Sequence, residues 1–146
     1  MSSFCEYFMH HALRLGRQAW PACRPNPPVG CVLVKEGRVV ASGYTQPLGQ
    51  PHAEAMALSK VSGDLSELTA YVTLEPCAFH GRTPSCAKTL AASGIKRVVI
   101  ATLDPDPRNA GAGVDILRAA GIEVTVGVLE QRVLKDIGAY LAVPNR

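Results

Sequence analysis

From Tyr71 to Leu141 the apolar residues pass repeatedly between strand and helix periodicity, and this alternation constrains the fold more than any other feature of the chain. Tyr71 to Leu74 is a short β-branched and aromatic run; a helical segment from about Cys86 to Ser93 follows it and stops at Gly94; Val98 to Leu103 then reads as a strand. A further helix, Val114 to Ala120, closes on Gly121 and feeds the strand Glu123 to Val126, and a last helix runs from about Glu130 to Leu141. A strand apolar along nearly its whole length is buried on both faces. The order β-α-β-α-β requires parallel strands joined by crossover helices.

The first half supplies two more strands. Cys31 to Lys35 and Val39 to Tyr44 read as a hairpin around Glu36-Gly37-Arg38, with Gly37 giving the turn its positive φ. Before it, Ser3-Phe4-Cys5-Glu6 matches a capping box, and Phe4, Phe8, Ala12, Leu15 and Ala19 recur at helical spacing to an end near Trp20-Pro21. The sum is an α/β fold of three layers, α/β/α, with a five-stranded mixed sheet and helices on both faces. Residues 1–146 read as a single domain without repeats or linkers, and the Pro/Gly-rich segments Pro21 to Gly30 and Asp104 to Gly113 read as loops over a site.

One group of residues carries chemistry. His52-Ala53-Glu54 is followed by Glu75-Pro76-Cys77 and then Cys86, which together offer an imidazole, two thiolates and a carboxylate. Each piece is weak alone, since His-x-Glu also starts ordinary helices and cysteine also packs as a small hydrophobe. Their context is stronger. Pro51 precedes His52 at the head of the helical run Ala53 to Leu58, and the strand Tyr71 to Leu74 ends just before Cys77. A helix N-terminus thus meets a strand C-terminus, in the crevice where open α/β sheets hold ligands. His52, Cys77 and Cys86 form a three-ligand set for Zn²⁺, leaving the fourth tetrahedral position for a water whose pKa the metal lowers to about 7. Glu54 is the carboxylate left to move protons.

These motifs resemble the zinc-dependent nucleobase deaminases, in which a His-x-Glu precedes a Pro-Cys and a second Cys. The family usually has two residues between its cysteines, and here there are eight, Ala78 through Ser85. The stretch from Thr73 to Cys86 is similar to the pyrimidine deaminases of riboflavin biosynthesis in particular. So are Pro25-Asn26-Pro27-Pro28-Val29-Gly30-Cys31, Gly49-Gln50-Pro51-His52-Ala53-Glu54, Asp104-Pro105-Asp106-Pro107 and Ala120-Gly121-Ile122-Glu123-Val124. The resemblance implies a cytidine-deaminase-like fold, a Zn²⁺ cofactor, a small amino-pyrimidine substrate bearing a ribosyl phosphate, and a homo-oligomer, dimer or tetramer. It makes Glu54 the proton shuttle, sets Asn26 on the pyrimidine edge and gives Arg82 to the phosphate. An Asn-Pro turn and a solvated loop arginine are the structural alternatives for those last two. The family often continues into an NADPH-dependent reductase; this sequence stops at Arg146, and the expectation is a deaminase domain without one.

Three positions depart from the family pattern. Thr45 and Phe79 stand where it usually has histidines, and Asp106 where it has asparagine; Ala78 also replaces a usual serine. All three are expected to contact substrate. Trading a donor for Phe79 and a neutral amide for Asp106 predicts a phosphoribosyl end less welcoming to a dianion, with the neighbouring His80 as a candidate compensation. Deamination of another, unphosphorylated amino-heterocycle is therefore the competing enzyme reading. A zinc-stabilised module without activity is the other, and it needs a fourth protein ligand, for which His80 is the candidate.

Composition removes several classes. A 47% hydrophobic and 18% charged chain is not disordered, and no apolar run approaches the roughly 18 residues of a membrane span. A net charge of +3 without a basic stripe gives nucleic-acid binding little support. The N-terminus lacks the pattern of a signal peptide, and five cysteines cannot all pair, which together suggest a cytoplasmic protein with free thiols. Cys31 reads as core, while Cys5 and Cys23 have no assigned role.

Overall fold

The computed structural model describes residues 3–141. Its elements follow the sequence pattern: α1 (Ser3–Arg17), β1 (Gly30–Lys35), β2 (Arg38–Tyr44), α2 (Ala53–Leu58), β3 (Thr69–Leu74), α3 (Cys86–Ala92), β4 (Arg97–Thr102), α4 (Ala112–Ala119), β5 (Glu123–Val126) and α5 (Glu130–Leu141). The sheet order is β2-β1-β3-β4-β5. β1 is antiparallel to β2 and β3, while β3, β4 and β5 run parallel. The central strands β1, β3 and β4 are buried almost throughout, and the edge strands β2 and β5 are only partly so. α1 and α5 cover one face, linked by the Arg17–Asp136 ion pair and by Trp20 against Tyr140. α2, α3 and α4 pack side by side on the other.

Two local expectations are corrected. The hairpin turn has two residues, not three: Lys35 pairs with Arg38, and both Glu36 (φ 51°) and Gly37 (φ 75°) take positive φ, as a type I′ turn demands. In α1 the core receives Phe8, Met9, Ala12 and Leu13, while Phe4 is 68% exposed. Successive i, i+4 steps drift about 40° around a helix of 3.6 residues per turn, so a row chosen that way leaves the core face. The helix also ends at Arg17, three residues before Trp20. The capping role of the Ser3 side chain lies outside the described residues.

The strand ends beneath the site are tied together from below. Glu75, one residue past β3, is 3% exposed, and its carboxylate accepts the backbone N–H groups of Asp104 (3.1 Å), Gly111 (3.0 Å) and Val114 (3.0 Å). The N-cap of α4 is Gly111, which has no side chain to offer, so Glu75 satisfies helix donors that would otherwise be orphaned. Buried Asn109 completes the cap, accepting the Gly113 N–H at 3.1 Å and donating to the Pro76 carbonyl at 3.3 Å. A Cβ on Gly113 would collide with that same carbonyl, so only glycine lets α4 come this close to the segment leading into Cys77. Among the described residues, no helix is long and apolar enough to cross a membrane.

Candidate active site

His52 is the N-cap of α2, Cys77 lies three residues beyond β3, and Cys86 is the first residue of α3. Their ligand atoms all lie within 4.8 Å of one another, and they form the one such group found among the described residues. His52 Nδ1 is 3.4 Å from Cys86 Sγ and 4.0 Å from Cys77 Sγ. Zinc bonds of ordinary length at a tetrahedral angle put nitrogen and sulfur about 3.6 Å apart, so the donor set fits that ion with Nδ1 facing it. The other ring nitrogen is also held, by Thr83 Oγ1 at 3.1 Å from Nε2. Such a partner orients a ligating imidazole. Exposed His80 lines a separate groove with Leu58, Leu65 and Pro84 and does not join the group, so the closed four-ligand alternative lacks its fourth ligand among the described residues.

Backbone and side-chain hydrogen bonds shape the loop from Cys77 to Cys86. The Cys86 N–H points to Cys77 Sγ at 3.3 Å, Ala87 N donates to the Cys77 carbonyl, and Ser85 Oγ donates to it too while capping α3 through the Lys88 N–H. The thiol pair gives up one proton readily. Cys77 is pulled down to about 4, first by the Cys86 thiol, then by His52 and the Cys86 N–H, while Cys86 is pushed up by Cys77 and by burial. His52 is raised by Cys77 first, against the effect of burial. A bound cation would displace the remaining thiol proton.

Glu54 is 4% exposed and lines the cleft beside His52 and Cys77. Burial, then the Cys77 thiolate, pushes its carboxyl up to about 7, with His52 pulling the other way. A carboxyl poised near neutrality can both take and return a proton. The cleft above it opens to solvent and encloses a cavity of about 120 Å³.

Every residue singled out from the sequence as a substrate contact lines this cleft, but not all offer the group expected. Asn26 is half-buried, and its backbone N–H donates to the Cys23 carbonyl at 2.9 Å. Arg82 is exposed on the metal loop. The buried Thr45 hydroxyl is spent on the backbone, accepting from Val29 N at 3.0 Å and donating to the Pro27 carbonyl at 3.1 Å. It shapes the loop that carries Asn26. At the end of the cleft where Phe79 and Asp106 stand, a third side chain, Arg108, brings a cation. Arg108 lies 4.2 Å over the Phe79 ring and pairs with Asp106 at 2.6 Å. The sequence alone assigns no role to Arg108, Thr83, Glu75 or Asn109. Glu75 alone left a signal, as an acid at the end of a buried strand that must find donors.

Cys31 is fully buried near Glu54, as expected of a core residue. Cys23 is buried as well, and Cys5 Sγ lies 4.0 Å from the Tyr71 hydroxyl.

Comparison with known proteins bears on the same residues. Residues 2–102 match the family model of the cytidine and deoxycytidylate deaminase zinc-binding region. The riboflavin biosynthesis protein RibD of Aquifex aeolicus is 52% identical over 124 residues, covering 85% of this chain and 35% of that protein. The chain thus spans about a third of the curated relatives it matches. A Thermotoga maritima structure described as a diaminohydroxyphosphoribosylaminopyrimidine deaminase/5-amino-6-(5-phosphoribosylamino)uracil reductase superposes with a TM-score of 0.88 at 46% identity, over 94% of this chain and 40% of that one. The Aspergillus oryzae Rib2 deaminase, a C-terminal deletion mutant in complex with DARIPP, superposes with a TM-score of 0.75 at 26% identity, over 94% and 92% of the two chains.

Proposed function

The chain belongs to the cytidine and deoxycytidylate deaminase zinc-binding family, and from that premise we propose that it hydrolytically deaminates the diamino-ribosylamino-pyrimidinone 5′-phosphate of riboflavin biosynthesis. The observation that carries the reaction class is the buried Glu54 beside a three-donor site of His52, Cys77 and Cys86. The similarity to riboflavin biosynthesis proteins and the two arginines on the cleft support the substrate.

Zinc held by His52 Nδ1, Cys77 and Cys86 would supply a water acidic enough to attack near neutral pH. In the proposed reaction Glu54 receives a proton from the attacking water and delivers it to a ring nitrogen as the C–O bond forms. It then takes the proton of the newly added hydroxyl and hands it to the exocyclic nitrogen, the C–N bond breaks, ammonia leaves, and the former C–OH becomes a carbonyl. Thr83 keeps the imidazole in one orientation throughout. Asn26, offering both donor and acceptor, reads the lactam edge of the ring, the Cys77 backbone N–H donates to its oxygen, and Arg82 takes the phosphate. Residues 1–146 act in this reading as one deaminase unit, associated with further copies of itself and working in the cytoplasm.

Ammonia release from a substrate panel tests the assignment: the phosphorylated intermediate, its dephosphorylated form, cytosine, cytidine, guanine and aminotriazines. The reading expects the phosphorylated intermediate to be turned over with the highest kcat/KM. Preference for an unphosphorylated ring would replace it with the competing enzyme reading.

A further inference from the structure

Arg108 is held on two sides at the mouth of the cleft. Its guanidinium carbon stacks 4.2 Å from the Phe79 ring centroid, within cation–π range. On its edge, Nε lies 3.1 and 3.2 Å from the two Asp106 carboxylate oxygens, and Nη2 lies 2.6 Å from Oδ2. Asp106 is itself set in place, since its Oδ1 accepts the Arg108 backbone N–H at 2.9 Å and its own N–H donates to Asp104 Oδ1 at 3.0 Å. Ring and carboxylate together fix the plane of the guanidinium.

This arrangement does little for stability. The ion pair joins residues two apart in one loop, and about half of the Arg108 side chain is exposed, where such pairs contribute little. What it does is present a cation. Arg108 comes from the loop between β4 and α4, Arg82 from the metal loop, and both line the cleft that holds Glu54 and Asn26. A long side chain ordered before its ligand arrives loses less freedom on binding, and a planar guanidinium matches phosphate oxygens in pairs.

We propose that Arg108 is a second anion-binding residue of the active-site cleft, acting with Arg82 on the phosphate monoester of the substrate. The proposal rests on the phosphorylated substrate assigned above, and it explains why Phe79 and Asp106 occur together. The ring and the carboxylate are positioning residues for a cation brought by a third side chain.

The test is calorimetric titration of ribose 5-phosphate into zinc-loaded wild type, Arg108→Ala and Arg108→Lys, with zinc content and Tm as controls. Wild type should bind, Arg108→Ala should bind about tenfold more weakly or worse, and Arg108→Lys should fall between, with zinc and Tm unchanged. Binding by Arg108→Ala within twofold of wild type overturns the proposal, as does a wild type that does not bind ribose 5-phosphate. Steady-state kinetics separate this from the substrate reading. Wild type that prefers the phosphorylated intermediate while Arg108→Ala keeps its KM leaves the substrate standing and removes Arg108. Wild type that shows no preference for the phosphorylated over the dephosphorylated compound removes the substrate reading, whatever the titration shows.

Discussion

Thr83 Oγ1 lies 3.1 Å from His52 Nε2, on the side of the ring away from the two cysteines. The metal loop therefore holds the imidazole it shares a site with, and the contact leaves Nδ1 for the ion. Thr83→Val removes the partner while keeping the shape. It should weaken zinc binding about tenfold or more, measured by competition with a chelator, and leave the fold intact. Unchanged affinity would mean that α2 alone orients His52.

Glu75 receives three backbone N–H groups on two oxygens. Glu75→Gln keeps the size but puts an amide donor against at least one of those donors, at a cost of about 1–3 kcal/mol. For a chain of this size that is a fall in Tm of about 3–10 °C, readable by thermal denaturation. A variant as stable as wild type would show that water replaces the carboxylate at the head of α4.

Zinc-loaded Glu54→Gln should keep its metal and fold and lose nearly all turnover, because an amide cannot carry the proton. Activity within a few-fold of wild type would require another acid-base group. The zinc-free protein gives a second readout. There the Glu54 carboxyl is raised from 4.5 to about 7, by burial first and then by the Cys77 thiolate. Between those values the folded chain holds a proton that the unfolded chain has released, so rising pH lowers stability through this window. Urea denaturation of both zinc-free proteins from pH 4.5 to 7 should show wild type losing stability relative to Glu54→Gln. A relative gain over the same range contradicts the buried placement.

The order of elements was legible because burial dictates it. The apolar run from Val98 reads as an inner strand, though β4 ends at Thr102 and leaves Leu103 exposed, and Gly94 and Gly121 follow the helix ends. The ligand group was legible because His52, Cys77 and Cys86 sit at element ends, which the topology brings to one rim of the sheet. What escaped depends on how loops fold back. Thr83 is a common residue type in a ten-residue stretch, and its role exists only once that stretch arches over His52. Arg108 sits in a Pro/Gly-rich loop with no motif to single it out, while Phe79 and Asp106 read as lost substrate contacts. The exposure of Phe4 was not legible either, because spacing gives the period of a helix and leaves its rotation open.

Under the proposed function, one zinc ion at His52, Cys77 and Cys86 makes this chain a deaminase of a phosphorylated amino-pyrimidine. Titrating Zn²⁺ into metal-free protein while following ammonia release from the diamino-ribosylamino-pyrimidinone 5′-phosphate tests it most directly. Activity should rise with added metal and level off at about one ion per chain, and His52→Ala, Cys77→Ser and Cys86→Ser should neither hold the ion tightly nor release ammonia. Equal ammonia release from metal-free and zinc-loaded protein, or full zinc occupancy in all three variants, would contradict it.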